Sequence, residues 1–161
     1  MSGIEKTGNW DAFAKMLNEA GAKFKANVKQ ATNTNGRLLE RTIVDMLQND
    51  QVTPKTSEAF RNWKEEHGYS NQTLKMSGDM LNAVKYDAKS WNEGFVGVNR
   101  NAEGKAKGKQ TVNLASLAAV HEYGRIDGSI PARPFLAPSR AKVEREMVEN
   151  YQKAVDETFK K

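Results

Sequence analysis

Val84-Lys85-Tyr86-Asp87-Ala88-Lys89-Ser90-Trp91-Asn92-Glu93-Gly94-Phe95-Val96-Gly97-Val98 is the stretch where the hydrophobic period of the chain changes. Val84, Tyr86 and Ala88 alternate with polar neighbours, the two-residue repeat of a strand with one face covered. Lys89 to Glu93 reads as a turn, and Gly94 to Val98 as the returning strand. A hairpin set among helical patterns predicts an α+β fold: a small, mainly antiparallel β-sheet packed by long helices.

Upstream, Trp10, Phe13, Ala14 and Leu17 recur at helical spacing, with Asn9 as N-cap and Gly21 as a break. A second helical pattern runs from Phe24 through Val28, Ala31, Leu38, Leu39, Ile43 and Leu47. Thr32-Asn33-Thr34-Asn35-Gly36 in its centre has poor helix propensity, which predicts a kink or a break there. Asn49-Asp50 supplies the stop. Thr53 and Pro54 read as the cap and first position of a short helix carrying Phe60 and Trp63, closed by His67-Gly68. Tyr69 to Lys75 is a loop, and Ser77 caps a short helix containing Met80 and Leu81.

Downstream, residues 99–110 read as a flexible basic loop with Arg100, Lys105, Lys107 and Lys109. Leu114, Leu117, Ala118 and Val120 form an apolar helix. Pro131, Pro134 and Pro138 then hold the backbone extended. Residues 139–161 form a long C-terminal amphipathic helix, with Val143, Met147, Tyr151, Val155 and Phe159 every four residues. That stripe packs on the parent domain or presents part of its face to another protein. The whole, 1–161, reads as one domain with an N-terminal helical segment over 1–20.

Hydrophobic residues are 38% of the chain, charged residues 28%, and the mean hydropathy is −0.75. That is polar for a self-contained globule and points to arms that become ordered in an assembly. With no cysteine, disulfides and thiolate zinc sites are excluded. No apolar run reaches the roughly 20 residues a membrane helix needs, and Met1 to Lys6 lacks the apolar core of a signal peptide. The expectation is a soluble protein made in the cytoplasm. A net charge of +5 reads first as a solvated surface.

His121-Glu122 is the strongest candidate for chemistry. A zincin pair needs a second histidine one turn on, where Arg125 stands, and the only other histidine is His67. There is no Gly-x-Ser-x-Gly elbow and no phosphate loop. The residues thus suggest no enzyme, cofactor or metal, although a hydrolase centred on His121 stays open as an alternative. The loop carrying Arg100, Lys105, Lys107 and Lys109 could meet nucleic-acid phosphates or a partner, but lacks interleaved aromatics for stacking.

Ala118 to Arg125, containing His121-Glu122-Tyr123-Gly124-Arg125, is followed by Ile130-Pro131-Ala132-Arg133-Pro134-Phe135-Leu136-Ala137-Pro138-Ser139. Together these segments resemble the signature of phage virion-morphogenesis proteins, the tail-completion or head–tail joining proteins of tailed phages. Leu74 to Val84, Gly94 to Val98, and Pro54 to Gly68 with Thr56, Trp63 and Lys64 are similar to earlier parts of that family in order, so the resemblance covers residues 20 to 160. It implies a structural virion protein at the neck or tail end, assembled in the host cytoplasm as a ring, a hexamer by the family's example. The implied partners are the tail terminator or tail tube protein and head-connector proteins, with non-specific contact to DNA in the channel and no membrane. The alternatives are an adjacent head–tail connector or tail terminator protein and, ranked below them, a non-specific DNA-binding module.

The motif itself reads as a rigid frame. Gly124 permits a turn, Pro131 and Pro134 pre-set an extended backbone, and Phe135 and Leu136 anchor it. Arg133 is expected to form a fixed bidentate pair with Glu122. In the alternative, Arg133 is exposed and Glu122 caps local backbone.

Overall fold

The computed structural model describes residues 8–105 and 110–160. Its elements follow the expected α+β order: α1 (Trp10–Gln48), α2 (Glu58–Glu66), α3 (Asp79–Ala83), β1 (Val84–Ala88), β2 (Gly94–Val98), β3 (Glu103–Lys105), β4 (Thr111–Asn113), α4 (Leu114–Tyr123) and α5 (Leu136–Phe159).

The helical scaffold is simpler than the sequence pattern suggests. Gly21 and the Thr32–Gly36 stretch interrupt nothing; α1 is one helix of 39 residues, about 58 Å long at 1.5 Å per residue. Asn9 caps it as expected, its side chain accepting the Ala12 N–H at 3.1 Å. Three of the low-propensity residues, Thr32, Asn35 and Gly36, are buried. Asn35 Nδ2 donates to the Met147 carbonyl at 2.9 Å, and Asn150 Nδ2 donates to Asn35 Oδ1 at 2.8 Å. The Thr32 and Tyr151 hydroxyls meet at 3.1 Å. Asn27 Nδ2 reaches Thr158 Oγ1 at 3.1 Å. A buried polar seam of this kind offsets unfavourable helix propensity and fixes one register between two helices.

Gly36 has a second reason to be glycine. The Tyr86 ring of β1 lies against it, and a Cβ there would run into that ring. Gly94 makes the same allowance from β2. Tyr86 OH donates to Asn33 Oδ1 at 2.8 Å, and the Tyr86 N–H donates to Glu40 at 3.1 Å. The hairpin is thereby laid across the middle of α1.

The hairpin pairs antiparallel with Val84 opposite Val98 and Ala88 opposite Gly94. The expected single sheet is two separate two-stranded ones, since β3 and β4 pair only with each other. Part of the expected basic loop is therefore strand. Gly104 packs tightly on Leu114 and Asp79, and the Lys105 N–H donates to Asp79 Oδ2 at 2.9 Å.

The core sits at the C-terminal end of α1. Ile43 and Leu47 meet Val52, Met80, Val84, Val98, Leu114, Ala118 and Phe135 there, all buried. Two helix starts differ from expectation. Ser57, not Thr53, caps α2 by accepting the Phe60 N–H. Gly78, at φ +91°, holds the cap position of α3, one residue beyond Ser77. In α2, Phe60 and Trp63 are half-buried, while the residue buried completely is Lys64.

The closing helix packs along α1 through Ser139, Val143, Ala154 and Thr158. Four-residue spacing gains about 40° per step on a helix of 3.6 residues per turn. The stripe therefore drifts off the contact, and Phe159 ends exposed.

Candidate functional site

The His121-to-Ser139 segment forms a joint between α4 and α5. At the end of α4, Gly124 turns the chain at φ +79°; a Cβ there would lie 3.0 Å from the Ala132 nitrogen and 3.2 Å from the Ile130 oxygen. The Gly124 N–H caps Val120 O, the Arg125 N–H reaches Ile130 O at 2.9 Å, and the Arg133 N–H reaches His121 O at 2.6 Å. The loop so closed carries Pro131 and Pro134 outside any helix or strand. Phe135 then enters the core, fully buried.

Glu122 fastens the joint. Its carboxylate is buried and accepts three backbone N–H groups: Phe135 at 2.8 Å and Leu136 at 2.9 Å on Oε2, and Ala137 at 2.9 Å on Oε1. These are the free donors of the first turn of α5, and the next residue, Pro138, has none to offer. The helix accordingly starts at Leu136, not at Ser139; Pro138 is tolerated because it lies in a first turn. A carboxylate in this place also meets the positive end of the helix dipole. Glu122 is thus a cap supplied from another helix, 13 residues earlier in the chain than the first amide it holds.

The expected Glu122–Arg133 pair does not form, because the carboxylate is spent on amides. Of the alternative, the half in which Glu122 caps backbone holds, while the half in which Arg133 is exposed does not, since Arg133 is buried. Its Nε donates to the Pro54 carbonyl at 2.9 Å, tying the joint to the segment that follows α1. His121 lies partly buried beside it. Burial, and secondarily the Arg133 charge, push its imidazole down from 6.5 to about 4. Its Nδ1 is buried without a hydrogen-bond partner.

Pattern reading missed the polar cluster beneath. Lys64 donates to the Gln72 carbonyl from a fully buried position. Burial lowers its pKa, with Asp50 pulling the other way and Arg61 adding to the lowering. Burial alone would raise the Asp50 carboxyl, but hydrogen bonds from Lys55 and Thr73 outweigh it and hold the carboxyl below its usual value. The only sequence signal was a lysine beside the aromatic face of a short helix.

The outward side of the joint is different in kind. Tyr123 is 82% exposed and Ile126 fully so, although the loop between them and Arg133 is tightly hydrogen-bonded. Arg125 Nε pairs with Asp127 at 3.2 Å on the same surface. Asp127 accepts from the Ser129 hydroxyl and N–H, which hold its pKa down.

Of the expected basic contacts, Arg100 and Lys105 are exposed, Lys105 at the end of β3. Lys107 and Lys109 lie outside the described residues. Among the described residues no group of three or more His, Cys, Asp and Glu side chains is placed to hold a metal ion, and no helix is long and apolar enough to cross a membrane. The chain matches no family model, no curated protein and no solved structure.

Proposed function

We propose that the protein is a structural component of a tailed-phage particle, a tail-completion or neck protein that assembles as a ring and joins tail to head. The observation that carries this reading is the Glu122-capped joint. The residues that carry the family resemblance converge on it and are used for rigidity: Glu122 on three amides, Arg133 on Pro54 O, Gly124 in a turn only glycine fits. On its outer side that frame holds Tyr123 and Ile126 out to solvent. A braced loop displaying apolar side chains suits contact with a neighbouring protein.

A non-catalytic role accords with His121. A general base works best with a pKa near the operating pH, whereas burial and Arg133 place this imidazole near 4. In a ring, exposed Arg100 and Lys105 would be available for sequence-independent contact with phosphates of passing DNA.

The test is removal of the protein during phage assembly. DNA-filled heads and unjoined tails, or tails of defective termination, are expected by electron microscopy, with rescue by the intact chain supplied in trans. Normal infectious particles would overturn the reading.

A further inference from the structure

The first turns of α1, from Trp10 to Lys23, form an arm that is largely uncovered among the described residues. Thr158 and Ala154 of α5 reach α1 at Asn27, and α5 ends one residue after Thr158. Phe24 is met by Trp91 of the hairpin turn, ring centroids 6.1 Å apart. From Lys23 back to Trp10, about 20 Å at 1.5 Å per residue, the helix is exposed along nearly its whole length among the described residues. Yet the apolar face does not stop where its cover does. Trp10, Phe13, Leu17, Ala20 and Phe24 continue at three- and four-residue spacing into Asn27 and Ala31, the line that α5 covers. Trp10, Phe13, Met16 and Leu17 are each about half exposed.

A second unpartnered apolar feature is the loop presenting Tyr123 and Ile126. Its anchors, Arg133 and Phe135, sit on Pro54 and on the core at the far end of α1. The 30 residues of helix from Leu17 to Met46 put the two features roughly 40 Å apart. They cannot meet within one chain. Their sizes match: each exposes roughly 400 Å² of apolar side chain, taking areas of the size typical of aromatic residues.

We propose that the α1 arm of one subunit docks on the Tyr123–Ile126 loop of a second copy of this chain. Two different patches at opposite ends of one molecule make a head-to-tail contact, which closes into a ring when the rotation permits. One contact would bury about 800 Å² of apolar surface plus its polar rim, at or below the lower end of stable interfaces. Isolated pairs are therefore weak. A closed ring, in which each subunit makes the contact twice, holds. That the partner is a second copy rests on the assembling role proposed above.

The absence of cysteine makes the test clean. Leu17→Cys and Ile126→Cys, both at exposed positions, are purified separately and treated with a short bismaleimide, alone and mixed. Cross-linked dimer in the mixture well above that in either variant alone is expected, as is its loss when Trp10→Ser and Phe13→Ser are added to the Leu17→Cys chain. Dimer from Leu17→Cys alone at the level of the mixture would mean that arms pair with arms across a two-fold axis, which overturns the proposal. No dimer in any sample at high protein concentration also overturns it. Because the assay contains no phage, cross-linking together with normal particles from the deletion would remove the virion role while leaving the contact standing.

Discussion

Replacing Glu122 by Gln tests whether one carboxylate holds α5 to α4. Its two oxygens accept three N–H groups, two on Oε2 and one on Oε1. Glutamine can place oxygen at only one of these sites. The better orientation keeps Phe135 and Leu136 bonded and turns an NH2 group toward the Ala137 N–H, donor against donor. Leaving that partly buried donor unmatched costs about 1 kcal/mol, the low end for such groups because Ala137 is near solvent. Turning two charge-assisted bonds into neutral ones forfeits about 1 kcal/mol more for each. The lost carboxylate–dipole attraction adds a few tenths. The expected destabilisation is about 3 kcal/mol. Urea unfolding should show it as a lower midpoint at an unchanged slope. Amide exchange at Phe135 and Leu136 should accelerate beyond what the global loss explains. A Glu122→Gln midpoint within about 0.5 kcal/mol of the parent, with protection retained, would refute the cap as the fastening of the joint.

Three further outcomes are expected. Gly36→Ala should destabilise by about 1–2 kcal/mol, since overpacking against Tyr86 exceeds the ~1 kcal/mol gain in helix propensity; in a Tyr86→Ala background the same change should stabilise, and a double-mutant cycle in urea checks both signs. Asn35→Ala should cost about 2 kcal/mol by removing its bond to the Met147 carbonyl and leaving the Asn150 amide unmatched, measured by thermal or urea unfolding; a change of a few tenths would mean that water replaces the seam. The third concerns His121, whose folded pKa near 4 lies below the ordinary 6.5. The unfolded chain takes up the proton first, so this contribution is full above about pH 6.5 and is lost as pH falls toward 4. Between pH 7 and 5 the loss is up to about 2 kcal/mol at 1.36 kcal/mol per pKa unit. His121→Gln should lack that component, and parallel pH–stability curves for parent and variant would rule it out.

Features that depend on near neighbours in the chain were legible before folding. The hairpin was legible because alternation over five residues and a turn are local properties. The Asn9 cap, the Gly124 turn and the closing helix were legible for the same reason. Tertiary structure decided the rest. Thr32 to Gly36 reads as a break on propensity, yet it forms unbroken helix because Tyr86, Met147 and Asn150 arrive from distant segments to match it. Trp10 to Leu17 recur at helical spacing, yet are about half exposed, since among the described residues α5 meets α1 at Asn27 and beyond. Lys64 carries a charge beside the aromatic face of a short helix, yet is buried where the Gln72 carbonyl meets its ammonium. Glu122 and Arg133 were both singled out by pattern, but a pattern cannot say where a carboxylate will find its donors. It finds them on three amides of a helix start because the chain returns there after the Gly124 turn, and an acceptor-only group goes where unpaired N–H groups are most concentrated.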